Sequence, residues 1–118
     1  MLVNNYSEAL KGYTAVLNQG PNFDALIGRS IVLHQLGRFD EAVNDAEKAI
    51  LTDRKRFEGF LRRGLLLIII PKGHSNFSQG RVTAALIDLE DAFAKTSGET
   101  AQYIETQIRK VQAELDNK

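Results

Sequence analysis

The sequence contains no cysteine and no tryptophan, and only two prolines in 118 residues. Without thiols the chain can form neither a disulfide nor a thiolate metal site, a composition that suits a reducing compartment. Net charge is lacking as well, because fifteen basic and fifteen acidic side chains cancel. A chain with no positive excess has no field with which to gather nucleic acid or an anionic membrane surface. Long apolar runs are missing too. The longest, Leu65 to Ile70, falls far short of the roughly 20 residues that span a bilayer. The opening MLVNNYSEAL has no basic stretch followed by an apolar one, so no secretory signal is expected. A cytoplasmic location follows as the expectation.

Groupings that carry chemistry are equally sparse. His34 and His74 are the only histidines, and neither belongs to a metal-ligand pattern such as HExxH. Gly73 and Gly80 lack the lysine and the strand–helix setting of a phosphate loop. Asp40-Glu41 and Glu90-Asp91 are neighbours in sequence, so they diverge on a helix surface and make no paired site. Catalysis needs convergent acid, base or nucleophilic groups. The expectation is therefore a non-enzyme with no cofactor, no metal and no small-molecule substrate.

What the chain does have is helical periodicity, over a length that holds one domain. Leu26, Arg29, Ser30 and Leu33 share one helical face within 23–36. Gly37 breaks the pattern, and Ala42, Ala46 and Ala49 open a second face within 39–52. The first face recurs 34 residues later as Phe60, Arg63, Gly64 and Leu67. Gly37 and Ala42, however, find their counterparts in Gly80 and Ala85, 43 residues on. The difference is an insertion at 71–79, rich in Gly, Ser, His and Asn, expected as a surface loop. The β-branched content of Leu65–Ile70 also suits a strand, but the repeat match through Leu67 and the lack of a partner strand favour a helix. Upstream, Tyr6, Ala9, Leu10, Tyr13, Val16 and Leu17 mark a helix within 5–19, stopped by Gly20-Pro21. Met1 to Asn4 are too few to supply a helix before it. Downstream, Ala101, Ile104, Ile108, Val111 and Leu115 form a narrow stripe over 98–116 whose other faces are polar.

Phe23 to Asp53, FDALIGRSIVLHQLGRFDEAVNDAEKAILTD, resembles one whole tetratricopeptide-repeat (TPR) unit, with its period of about 34 residues and its pattern W-x2-LG-x2-Y…A-x3-F…P. Ala9 and Tyr13 match the A-x3-F element and Pro21 the closing proline, whereas Arg54 stands in the proline position of the next unit. The resemblance implies an all-α fold, an α-α superhelix of TPR helical hairpins in a single domain. Its parts would be a half repeat at 5–19, repeats at 23–53 and 57–95, and a C-terminal capping helix at 98–116. A polar outer face is what keeps the end of such an array soluble.

In that family the first helices of successive repeats line a concave groove that holds an extended peptide or a partner helix. The resemblance therefore implies a protein–protein interaction scaffold. Carried over position by position, the groove takes Asp24, Ile27, Gly28, Ile31, His34 and Gln35 from one helix. Glu58, Leu61, Arg62, Leu65, Ile68 and Ile69 come from the next. Apolar contact would come from Ile31, Leu61, Leu65 and Ile68, with His34 and Arg62 setting polar register. The expected partner is another protein or a second copy of the chain. Chaperone-binding TPR domains clamp an acidic C-terminal tail with an asparagine where Gly28 stands, a lysine where Glu58 stands and an arginine that Arg62 matches. AVNDAEKAI, FLRRG and the final amphipathic helix are also similar to TPR domains of Sgt-type co-chaperones, which act as adaptors. Arg54, Lys55, Arg56, Arg62 and Arg63 form a basic cluster that reads first as a solvated connector with structural arginines, and second as a patch able to dock an acidic tail or a phosphate.

Overall fold

The structure, a computed structural model, describes residues 5–69 and 80–116. The expected loop at 71–79 lies outside the described residues. Six helices follow one another: α1 (Tyr6–Leu17), α2 (Phe23–Gln35), α3 (Phe39–Thr52), α4 (Phe57–Ile69), α5 (Arg81–Ala94) and α6 (Gly98–Asp116). No strand occurs among the described residues, and Leu65 to Ile69 are helical.

Local chemistry sets the helix boundaries. Asn22 is extended, and its Oδ1 accepts from the Ala25 N–H at 2.8 Å, capping α2. Such a cap contributes about 1 kcal/mol. At the other end Gly37 turns the chain with φ 77°. The Arg38 N–H then reaches Leu33 O at 2.8 Å, and the Gly37 N–H reaches His34 O at 3.0 Å. This paired closure satisfies carbonyls that the helix end leaves open, and it needs the left-handed backbone that glycine adopts without a Cβ clash. Gly80 takes the same conformation at φ 72°. It therefore stands outside the helix, and α5 starts at Arg81. Arg81 ties the start of α5 to the end of α4. Its Nη1 donates to Leu67 O at 2.9 Å and Ile68 O at 3.2 Å, among the last carbonyls of α4, where a cation is favoured.

Packing follows the order of the chain. Each helix lies against its neighbours in sequence, most extensively α2 on α3 and α4 on α5, and α2 also touches α4. The small residues of α3 make the close approach possible: Ala42, Ala46 and Ala49 are wholly buried. Ser30 is buried beside them and donates to Ala42 O at 2.8 Å. One core cluster joins Leu33, Val43 and Leu66, with Leu10 and Phe39 at its margin. A second joins Ile50, Phe60 and Leu89 to Ile104 and Val111 of α6, fixing that helix on the hairpin before it. The buried stripe of α5 is Ala85, Leu89 and Ala92, and Phe93 is exposed. The result is an all-α helical-repeat superhelix.

One internal device repeats with the hairpins. Arg29 on α2 grips Asp45 on α3 through two bonds, Nε to Oδ2 at 2.7 Å and Nη2 to Oδ1 at 2.9 Å. Arg63 on α4 grips Asp88 on α5 in the same way, at 2.8 Å in both bonds. Both aspartates are almost completely buried. The parallel geometry supplies the strong charge-assisted bonds that a desolvated carboxylate requires.

Candidate functional site

The expected groove residues fall on two helical stripes, Ile27, Ile31 and His34 on α2 and Leu61, Leu65 and Ile68 on α4, at three- and four-residue spacing. Electrostatics links these stripes across helices. Burial pushes the His34 pKa below its usual value, and the charge of Arg62 pushes it the same way. Burial likewise lowers the Arg62 pKa, against which Tyr103 of α6 acts in the opposite sense. His34, Arg62 and Tyr103 thus bring α2, α4 and α6 into one electrostatic neighbourhood. The His34 ring also lies 6.1 Å from that of Phe39, tilted by 43°. Among the described residues, the Nε of Arg62, shielded from solvent, finds no hydrogen-bond partner. A buried donor left unmade costs about 1–3 kcal/mol.

The surroundings are less uniformly apolar than the sequence suggested. Ile31 and Ile69 are open, at 40% and 44% exposure, and Gln35 is exposed. Leu61, Leu65 and Ile68 are half-buried against the second core cluster, and Ile27 packs against Phe23, Leu26 and Ala49. Those four have committed part of their surface to the fold. Tyr103, 49% exposed, belongs to the same neighbourhood and went unnoticed in the sequence. It sits beside Ile104 in a helix whose apolar stripe was the only signal read.

Charges at the other end of the stripes are paired internally. Arg56 lies 4.0 Å over the Phe23 ring and bridges Asp24 at 3.1 Å and Glu58 at 3.3 Å. Glu58 is therefore held by a neighbouring cation. Three arginines of the basic cluster, Arg56, Arg62 and Arg63, are taken up within the fold. Arg63 is turned to Asp88 and to Glu47, the latter at 3.6 Å, Arg62 is half-buried, and Arg56 is paired. Gly28 also departs from the expected groove. A Cβ built there would overlap the ring and hydroxyl of Tyr13 on α1. The asparagine of a chaperone clamp would have to displace that ring.

Among the described residues no group of three or more His, Cys, Asp or Glu could hold a metal ion. No helix among them is long and apolar enough to cross a membrane.

Comparison with known proteins agrees with this architecture. No protein-family profile matches the chain. A stretch of 61 residues, 51% of the chain, is 38% identical to mouse DnaJ homolog subfamily C member 7, of which it spans only 12%. Among solved structures, the Arabidopsis OM64 TPR domain superposes with a TM-score of 0.70 at 26% identity, over 90% of this chain and 82% of that one.

Proposed function

This chain is a tetratricopeptide-repeat (TPR) protein, and we propose that it is a non-catalytic adaptor holding a peptide or partner helix against the inner stripes of α2 and α4. The observation that carries this reading is that the stripes of α2 and α4 leave two isoleucines open, Ile31 at 40% and Ile69 at 44% exposure. They offer a partner apolar contact, and Gln35 and Glu58 offer polar edges. Burying an exposed isoleucine contributes about 1.5–3 kcal/mol, and a shared apolar surface of this kind is how helical-repeat scaffolds engage partners. We read the chain as one domain, a half repeat, two repeats and a capping helix, working in the cytoplasm without nucleic acid, membrane or small-molecule substrate. The narrower form, a co-chaperone adaptor, rests on the Sgt-type resemblance. An acidic-tail clamp is disfavoured by Glu58 and by Tyr13 over Gly28.

The test is capture of partners from lysate by the chain and by Ile31→Asp, with helicity checked by circular dichroism. Ile31 is open, so the variant keeps its fold and loses its partner. Undiminished capture by a folded variant would remove the inner face from the account.

A second reading, self-association, is favoured by α1. It is the one helix among α1 to α5 with no buried residue, and it leaves Val16 at 43% exposure. Two copies pairing through this face would cover it symmetrically. Light scattering at high micromolar concentration decides it, since a monomer there excludes the pairing.

A further inference from the structure

Arg29 and Arg63 occupy equivalent places, Arg29 on α2 between α1 and α3, Arg63 on α4 between α3 and α5. Their surroundings differ in charge. Counted from Ala9, Ala42 and Ala85, Thr14 of α1 corresponds to Glu47 of α3, and Lys48 of α3 to Asp91 of α5. Arg63 is thus surrounded by carboxylates: Asp88 at 2.8 Å, Glu47 at 3.6 Å, and Asp91 within electrostatic reach. Arg29 has Asp45 at 2.7 Å, but its Nη1 finds only the Thr14 hydroxyl, at 3.2 Å. The nearby Glu41 is held by Arg38 through both oxygens, at 2.7 Å each. A neutral group and a cation therefore stand where the second site has two carboxylates.

The first site is also open. Two cavities, of about 280 and 470 Å³, meet along Arg29 and Lys48, which line both. Leu10 and Leu33 line the smaller, Leu17 and Leu26 the larger. Lys48 is exposed and makes no ion pair among the described residues. A guanidinium carries five N–H donors. Asp45 and Thr14 take three of those on Arg29, leaving two.

We propose that the furrow between α1 and α3 is a second docking site, for an acidic segment of a partner protein. Its carboxylate bridges Arg29 and Lys48, in the role that Glu47 plays beside Arg63, and its flanking aliphatic side chains rest on Leu17 and Leu26. The site is separate from the inner face of α2 and α4.

The experiment titrates the ¹⁵N-labelled chain with a blocked hexapeptide alternating leucine and glutamate, and with its leucine–glutamine counterpart. The glutamate peptide shifts the amides of Thr14, Asn18, Lys48 and Thr52, and the glutamine peptide does not. Thr14→Glu installs the carboxylate that the second site already has, and Lys48→Asp copies Asp91. Each weakens binding at least about tenfold, as expected when a charge pair loses its complement. Thr14→Gln, of the same size without the charge, keeps it, as does Ile31→Asp on the inner face. The proposal is overturned by equal binding of both peptides or of neither, or by shifts centred on His34 and Arg62. Binding that survives both charge variants in folded protein overturns it too, as does a dimer that Lys48→Asp dissociates, which would make the furrow a contact between copies.

Discussion

The hairpins α2–α3 and α4–α5 share a framework and differ in what they add to it. Both have a glycine at positive φ before the second helix, buried alanines on that helix, and an arginine gripping a buried aspartate. They part where the framework is silent. Gly28 leaves room for the Tyr13 ring against α2, whereas its counterpart Arg62 carries a buried Nε with no partner among the described residues. Ser30 reaches the Ala42 carbonyl, whereas Gly64 carries no side chain, and a Cβ there would approach Leu89 at 3.2 Å. The shared features hold the superhelix together. Among the features that differ, those at the surface are candidate contacts for a partner.

Breaking the shared grip should cost most. Arg63→Ala leaves Asp88 buried without its cation, a change worth about 3–5 kcal/mol. Arg29→Ala should fall in the same range, because Asp45 is buried to the same degree. Urea midpoints measure both, and a near-silent Arg29→Ala beside a damaging Arg63→Ala would separate the hairpins. Next comes the alanine seam. Ala42→Leu overpacks a contact with no free surface and should lose about 1–3 kcal/mol. An unchanged midpoint would remove Ala42 from the α2–α3 contact. Ser30→Ala tests a bond present in one hairpin only. Losing it should cost about 0.5–1.5 kcal/mol, plus the cost of an orphaned carbonyl if no other donor reaches it. The smallest effect concerns pH. His34 titrates below its ordinary 6.5 in the fold, so the unfolded chain takes the proton first as pH falls. Stability unaffected above that value should decline below it. Comparing melting temperatures with His34→Gln between neutral and mildly acidic pH shows whether the decline flattens when the imidazole is removed.

How much of this was legible follows from what periodicity encodes. Spacing along one helix is local, so the recurrence of Leu26, Arg29, Ser30 and Leu33 gave α2 and α4, and Gly37 gave the turn between helices. The Arg–Asp grip was also present as a recurrence, since Asp45 and Asp88 keep step with Ala42 and Ala85, but spacing alone does not say which charges are buried. The rest depends on how the helices stagger against one another. That stagger buries half of Leu61, Leu65 and Ile68, sets Tyr13 over Gly28 and brings Tyr103 near Arg62. No spacing within one helix contains it.

The inner face of α2 and α4 is the centre of the account, and the most direct measurement compares partner capture by two folded variants. Ile31→Asp alters that face, and Ile87→Asp alters a more open isoleucine on α5, 55% exposed. Capture lost with Ile31→Asp and kept with Ile87→Asp is the predicted result. Capture kept by the first and lost by the second would contradict it.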